Sequence, residues 1–210
     1  MKKFLIAALL AASVAASHDA HADKTTAGLQ LQVMPSGTLD IKIHGQAGGL
    51  AGNWNAGESP METAFGIAGI VDYSVHRNVT VGLAPRVVLN EKTDPDQDAS
   101  TQLDIPLRVT GLMKIGKLTP YGYLSPGYSI IFPSHWNENG PELDHPAGLI
   151  LDVGAGVAYG LSKDLRIVGD IGYTAGYQGF TEKTNVVIGT VTTDVTFATS
   201  FLHIGVGVQM

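Results

Sequence analysis

The residues best equipped for acid–base or ligand chemistry are Asp40, Lys42, His44, Asp72, Arg86, Asp104, Arg108, Asp152, Arg166, Asp170 and His203, and each stands inside an alternating apolar segment. Around Asp152 the pattern is plain. Leu149, Leu151, Val153, Ala155, Val157 and Tyr159 alternate with Gly148, Ile150, Asp152, Gly154, Gly156 and Ala158. After the polar turn Ser162-Lys163-Asp164 the split returns, with Leu165, Ile167, Ile171, Tyr173 and Tyr177 against Arg166, Asp170, Thr174 and Gln178. Side chains alternate faces along a strand. One face is therefore greasy, and the other mixes glycine with charge. That second face is a poor core for a soluble sheet, but it suits the polar interior of a small membrane barrel whose greasy face meets lipid.

On this parity five acids share the interior with four permanent bases and two histidines. An eight-stranded barrel is only wide enough for side chains to fill. A buried charge without a partner is costly. The expected chemistry is thus mutual neutralisation, a lumen polar network of ion pairs and hydrogen bonds. The sharper alternative is a narrow, porin-like path for an ion or small solute, lined by the same groups.

Other candidates are weaker. His135, Asp144 and His145 stand near Glu138 and Glu142, but their spacing matches no strong metal-ligand motif. Asp94, Asp96 and Asp98 form D-x-D-x-D without the central glycine and terminal glutamate of a calcium loop. There is no H-E-x-x-H, no G-x-S-x-G, no P-loop and no cysteine nucleophile. Gly154-Ala155-Gly156 followed by Gly160 has the wrong spacing for a dinucleotide fingerprint. Ser134 and His135 are adjacent, which gives no nucleophile–base geometry. No catalytic residue, cofactor or metal is expected, and the protein is not expected to be an enzyme. A membrane-embedded lipid hydrolase is less favoured. So is a soluble ligand-carrying barrel, which would need its apolar groups inside.

These residues must be positioned by strands, and eight runs of suitable period are present. They are Thr38–Gly48, Ala64–Val75, Asn78–Leu89, Thr101–Met113, Thr119–Phe132, Ala147–Leu161, Leu165–Gln178 and a final run ending at Met210. Each reaches about 10 residues, the length a tilted strand needs to cross a bilayer. The fifth run is irregular, and a parity shift is expected near Ser125-Pro126, since proline marks bulges. Connections alternate strictly. Gly49–Thr63, Asn90–Ser100, Pro133–Pro146 and the stretch after Gly179 are long, whereas His76-Arg77, Lys114–Leu118 and Ser162–Asp164 are short. Outer-membrane barrels sort their turns in this way. Gly28–Met34 reads as a tail or an extra strand. Asn185–Phe197 is also β-rich, so ten strands are the alternative count. Tyr73, Tyr121, Tyr123, Tyr159, Tyr173 and Tyr177 are expected as interfacial aromatics.

The start of the chain addresses it for export. Lys2 and Lys3 precede an apolar run from Phe4 to Ala16, and Ala20-His21-Ala22 offers a cleavage site. This is the layout of a signal peptide, and the run falls short of the roughly 20 residues a spanning helix needs. The expected divisions are 1–22 as signal peptide, 23–37 as a periplasmic N-terminal tail or extra strand, and 38–210 as barrel. Without the leader, 11 of 13 Lys+Arg and 18 of 19 Asp+Glu remain, so nucleic acid is not an expected partner. There is no cysteine, which removes disulfide stabilisation. Glycine is 26 of 210 residues against a usual ~7%, and many fall at inward strand positions, where a narrow barrel needs close packing.

Taken together, the leader, the eight alternating runs and the asymmetric loops resemble the small outer-membrane β-barrels of Gram-negative bacteria, the OmpA/OmpX-type membrane domains. Asp104-Ile105-Pro106-Leu107-Arg108-Val109 followed by Pro120-Tyr121-Gly122-Tyr123 is similar to the central hairpin of that superfamily. The resemblance implies an all-β transmembrane antiparallel up-and-down barrel of eight strands in the cell outer membrane. It also implies a structural or surface-interaction role. The implied partners are outer-membrane lipid and lipopolysaccharide, the barrel-assembly machinery at the C-terminal strand, and an extracellular partner reached through the loops. Family members usually end in an aromatic residue, where this chain has Met210. No peptidoglycan-binding domain is expected after the last strand.

Overall fold

The computed structural model describes residues 25–47, 50–90, 100–132, 145–186 and 189–210. The leader, Asp94, Asp96, Asp98, Ser134, His135, Trp136, Glu138, Glu142 and Asp144 lie outside the described residues.

Period-two patterning becomes strand along nearly all of the described chain. The elements are β1 (Thr25–Ala47), β2 (Leu50–Met61), β3 (Ala64–His76), β4 (Val79–Leu83), β5 (Arg86–Asn90), β6 (Thr101–Leu112), β7 (Leu118–Phe132), β8 (Ala147–Gly160), β9 (Arg166–Val186) and β10 (Gly189–Gln209). Every pairing between them is antiparallel. β4 and β5 make one wall interrupted at Ala84-Pro85, since both pair with β3 and both with β6. The wall runs β1, β3, β4/β5, β6, β7, β8, β9, β10 and closes where β10 pairs back onto β1. Eight walls thus form a ring, and closure removes the open edges that a sheet would otherwise expose.

The first wall lies earlier in the sequence than its period suggested. Thr25–Met34 pairs with β3 on one side, and Gly28–Val33 pairs with the end of β10 on the other, so GLQLQVM is a wall strand and not a tail. Above it the register with β10 shifts between Val33 and Ser36. Below the shift, Gln30, Gln32 and Met34 are buried inside the ring. Above it, Gly37, Leu39, Ile41 and Ile43 take over that parity, because they pair with Phe201, Thr199, Phe197 and Val195. The upper half of β1 leaves the ring and pairs with β2, in the stretch read from sequence as a loop. With the upper halves of β9 and β10 it builds a four-stranded sheet, β2-β1-β10-β9, standing off the long-loop end.

The fifth run contains no parity shift. Tyr123, Ser125 and Ser129 are buried on one face of β7, while Leu124 and Tyr128 are exposed on the other. Register with β6 is the same on both sides of Pro126, from Pro106↔Gly127 to Val109↔Leu124. The proline costs one ladder bond without displacing its neighbours.

The outer wall is apolar, as lipid requires. Leu107, Leu151, Val153, Ile171, Ile204 and Val206 all point outward and are 46–59% exposed. One cross-strand set is Leu118, Tyr159 and Ile167, and another is Tyr128, Leu149 and Tyr177. On β9 these sets are ten residues apart. At about 3.4 Å per residue and a tilt of about 40° the separation is about 26 Å, matching the ~25 Å apolar band of such barrels.

Candidate functional site

The interior is built by the inward positions of the eight walls, and its centre is Arg86. β5 places it directly opposite Asp104 on β6. Its Nε and Nη2 donate to Asp104 Oδ2 at 3.0 and 2.7 Å. Nη1 lies 3.6 Å from Asp152 Oδ2 on β8. Nη1 also donates to Gln32 Oε1 on β1 at 3.4 Å, and Nη2 to Thr174 Oγ1 on β9 at 3.2 Å. One guanidinium therefore ties its own wall to four others. The planar five-donor fork of arginine is suited to this. Gln102 Nε2 completes Asp104 by donating to Oδ1 at 2.8 Å. Arg86 and Asp104 are 2% and 0% exposed.

A second tier lies toward the short turns. The Tyr123 hydroxyl is 2.9 Å from His203 Nε2, and the Tyr121 hydroxyl donates to Asp170 Oδ2 at 3.0 Å. The Arg108 guanidinium stacks over the Tyr123 ring at 4.1 Å and sits 5.6 Å from that of Tyr121. Glycines make room for these rings. A Cβ at Gly154 or at Gly172 would fall 2.5 Å from the Tyr123 hydroxyl. Toward the long loops the filling becomes apolar, with Met34, Ala64, Val88 and Phe201 in one cluster. Arg86 caps that cluster, 5.2 Å over the Phe201 ring.

The structure thus gathers Asp72, Arg86, Asp104, Arg108, Asp152, Arg166, Asp170 and His203 within the ring. It does not gather Asp40, Lys42 and His44. These stand on the outer face of the projecting sheet, where Lys42 pairs with Asp40 at 3.1 Å and His44 bonds Asn53. The shift between Val33 and Ser36 is the reason, since one extra residue exchanges the two faces of every position beyond it. Tyr121 and Tyr123 are also corrected, for they are interior hydrogen-bonding groups and not girdle aromatics. Tyr73, Tyr159, Tyr173 and Tyr177 do face outward. Tyr173 stands four residues below Tyr177 on β9, inside the apolar band. Gln30 and Gln32 belong to the filling and were missed with their strand. Their signal was the alternation in GLQLQVM.

Among the described residues no group of three His, Cys, Asp or Glu side chains could hold a metal ion. No described helix is long and apolar enough to cross a membrane, which says nothing of a strand-built crossing.

No curated protein sequence matches the chain. Among solved structures it is similar to the outer membrane protein OprG of Pseudomonas aeruginosa, with 15% identity and a TM-score of 0.48, covering 86% of this chain and 95% of that one. Neisserial surface protein A is similar at 14% identity and a TM-score of 0.45, with 82% and 96% covered. Ail, the attachment invasion locus protein of Yersinia pestis, is similar at 11% identity and a TM-score of 0.40, with 86% and 99% covered. The family model for the outer membrane protein beta-barrel domain matches residues 4–209, and the chain belongs to that family.

Proposed function

We propose that this outer-membrane barrel is a closed, non-enzymatic scaffold that displays its projecting sheet and long loops at the cell surface for contact with lipopolysaccharide or an extracellular partner. The observation that carries the reading is Arg86, held across the bore by Asp104, Asp152, Gln32 and Thr174. A path for ions would need these groups to part, and a buried pair loses several kcal/mol when its partners separate. The tier of Tyr121, Tyr123 and His203 makes a second barrier. Loops and extensions carry variable function on rigid scaffolds. The four-stranded sheet fits that role, with polar Asp40, Lys42 and His44 on its outer face. Export through a cleaved leader, and recognition of β10 by the barrel-assembly machinery, complete the reading.

Planar-bilayer recording of the purified protein tests it. The expected trace is flat, without steady unitary steps. A sustained conductance that scales with salt would replace this reading with the narrow channel.

A further inference from the structure

Beyond the scaffold role, the short-turn end of the barrel holds a cavity of about 120 Å³ below the tier of Tyr121 and Tyr123. Its lining includes Arg77, Arg108, Lys114 and Arg166 and, among the described residues, one acid, Asp72. By the family's architecture this end faces the periplasm. Above it the bore holds the hydrogen-bonded Tyr121 and Tyr123.

Its two ends differ in character. Arg77 and Lys114 stand exposed at the turns, whereas Arg108, Asp72 and Thr80 are 6%, 5% and 6% exposed. Arg86 and Arg108 are treated differently. Arg86 has the carboxylates of Asp104 and Asp152 within ion-pair distance. Arg108 donates its Nε to Thr110 Oγ1 at 3.2 Å and stacks on tyrosine, and among the described residues it has no carboxylate within ion-pair distance. A buried cation that no carboxylate touches is only partly compensated, and the acid nearest it in register is Asp72. Register adds two further groups. Asp72, Gly82 and Arg108 are successive partners across β3, β4 and β6, and Ser74, Thr80 and Thr110 form the adjacent set. Gly82 leaves open the wall between Asp72 and Arg108, since a Cβ there would fall 2.5 Å from Asp72 Oδ1. Asp72 Oδ1 and Thr80 Oγ1 are both buried without a hydrogen-bond partner among the described residues.

A ligand for this cavity must carry negative charge, accept several hydrogen bonds and donate one. We propose that it binds a phosphate group that retains one proton, as in inorganic hydrogen phosphate or a phosphate monoester. The unprotonated oxygens meet the Arg108 fork, the Thr80 hydroxyl and the cationic rim. The P–OH donates to Asp72 Oδ1. Sulfate, which has no proton at neutral pH, would set its oxygens against the Asp72 carboxylate. A site built to accept a hydrogen bond discriminates strongly against an analogue unable to donate it.

The test is calorimetric titration of inorganic phosphate and of sulfate into the full chain in phosphatidylcholine nanodiscs. Saturable binding of one phosphate per barrel is expected, with sulfate at least about tenfold weaker. Asp72→Asn should erase the preference for phosphate. Arg108→Lys and the rim variant Arg166→Gln should each weaken phosphate, the first by about tenfold or more. Boiled and unboiled gel mobility checks that each variant is folded, and Arg166→Gln keeps the test valid if Arg108→Lys does not fold. A second arm uses nanodiscs containing phosphatidic acid. Its retention on the barrel by native mass spectrometry, with loss of the phosphate signal, identifies a lipid headgroup as the source. Binding of free phosphate only identifies a periplasmic solute. Neither phosphate binding nor phosphatidic acid retention, equal affinity for sulfate, or affinity unchanged in the folded arginine variants overturns the proposal.

Discussion

Replacing Arg86 by methionine is expected to destabilise the barrel by about 3–5 kcal/mol, the usual result of stripping one partner from a buried ion pair. Methionine keeps much of the length and the contact with Phe201, so lost packing contributes little. The cost arises from what stays behind. Asp104 is 0% exposed and would lose its bonds at 2.7 and 3.0 Å, keeping only Gln102. Asp152 would lose the neighbour at 3.6 Å, and its Oδ1 already lacks a hydrogen bond among the described residues. Urea unfolding in lipid vesicles, followed by circular dichroism and gel mobility, measures the change. Two companions separate the pair's net worth from the cost of breaking it. Asp104→Leu alone should be as damaging as Arg86→Met. Asp104→Leu combined with Arg86→Met and Asp152→Leu should recover most of the loss, because replacing a whole buried ionic set by apolar groups is often neutral or better. A single Arg86→Met within about 0.5 kcal/mol of the parent, the range of an ordinary surface change, would show that the interior does not depend on this residue.

The same residues show where sequence reading succeeds on this fold and where it stops. Asp152, Asp170 and His203 could be placed inside from alternation alone because β8, β9 and the ring portion of β10 run without a register break. Arg86 and Asp104 were legible as interior groups, but their pairing was not, since it depends on strand register. On β1 the parity inferred for Asp40 fails. Pro35-Ser36-Gly37 reads as a turn, yet the strand passes through it and changes face. Alternation reports faces only within an unbroken ladder, and a bulge leaves no unique residue signature. Tyr123 failed for another reason. A parity shift near Ser125-Pro126 would turn Tyr123 outward with Tyr128, but β7 has no such shift and Tyr123 shares the buried face of Ser125 and Ser129. What admits the ring to the interior is the absence of side chains at Gly154 and Gly172 on two other walls. That complementarity is tertiary, and no local pattern contains it. Asp72, Thr80 and Arg108 likewise became one site only when register set them around Gly82.

Introducing arginine at Ile171 should cost about 2–4 kcal/mol, the penalty for a cation on the lipid face near the bilayer midplane. Ile171 points outward, is 51% exposed, and lies between Ile167 and Tyr177 on β9, hence near the middle of the apolar band. Its neighbours in register are Ala155 on β8 and Ile204 on β10, neither of which offers a counter-charge. Arginine can reach toward the headgroups with its long stem, so the lower part of the range is expected if the side chain bends toward Ile167. A matched control is Glu58→Arg on the projecting sheet. Glu58 is exposed opposite Asp40, well outside the band, and its change should fall within about 0.5 kcal/mol. The two variants add the same group to the same protein, one in place of an apolar side chain in the band and one in place of a solvated carboxylate outside it. In a soluble barrel, Ile171→Arg would replace an exposed apolar side chain by a solvated one and cost almost nothing. A large penalty at Ile171 with none at Glu58, read from urea midpoints in vesicles and from the yield of the folded, heat-modifiable form, is the energetic signature of lipid on the outer wall. Equal, small effects at both positions would contradict it.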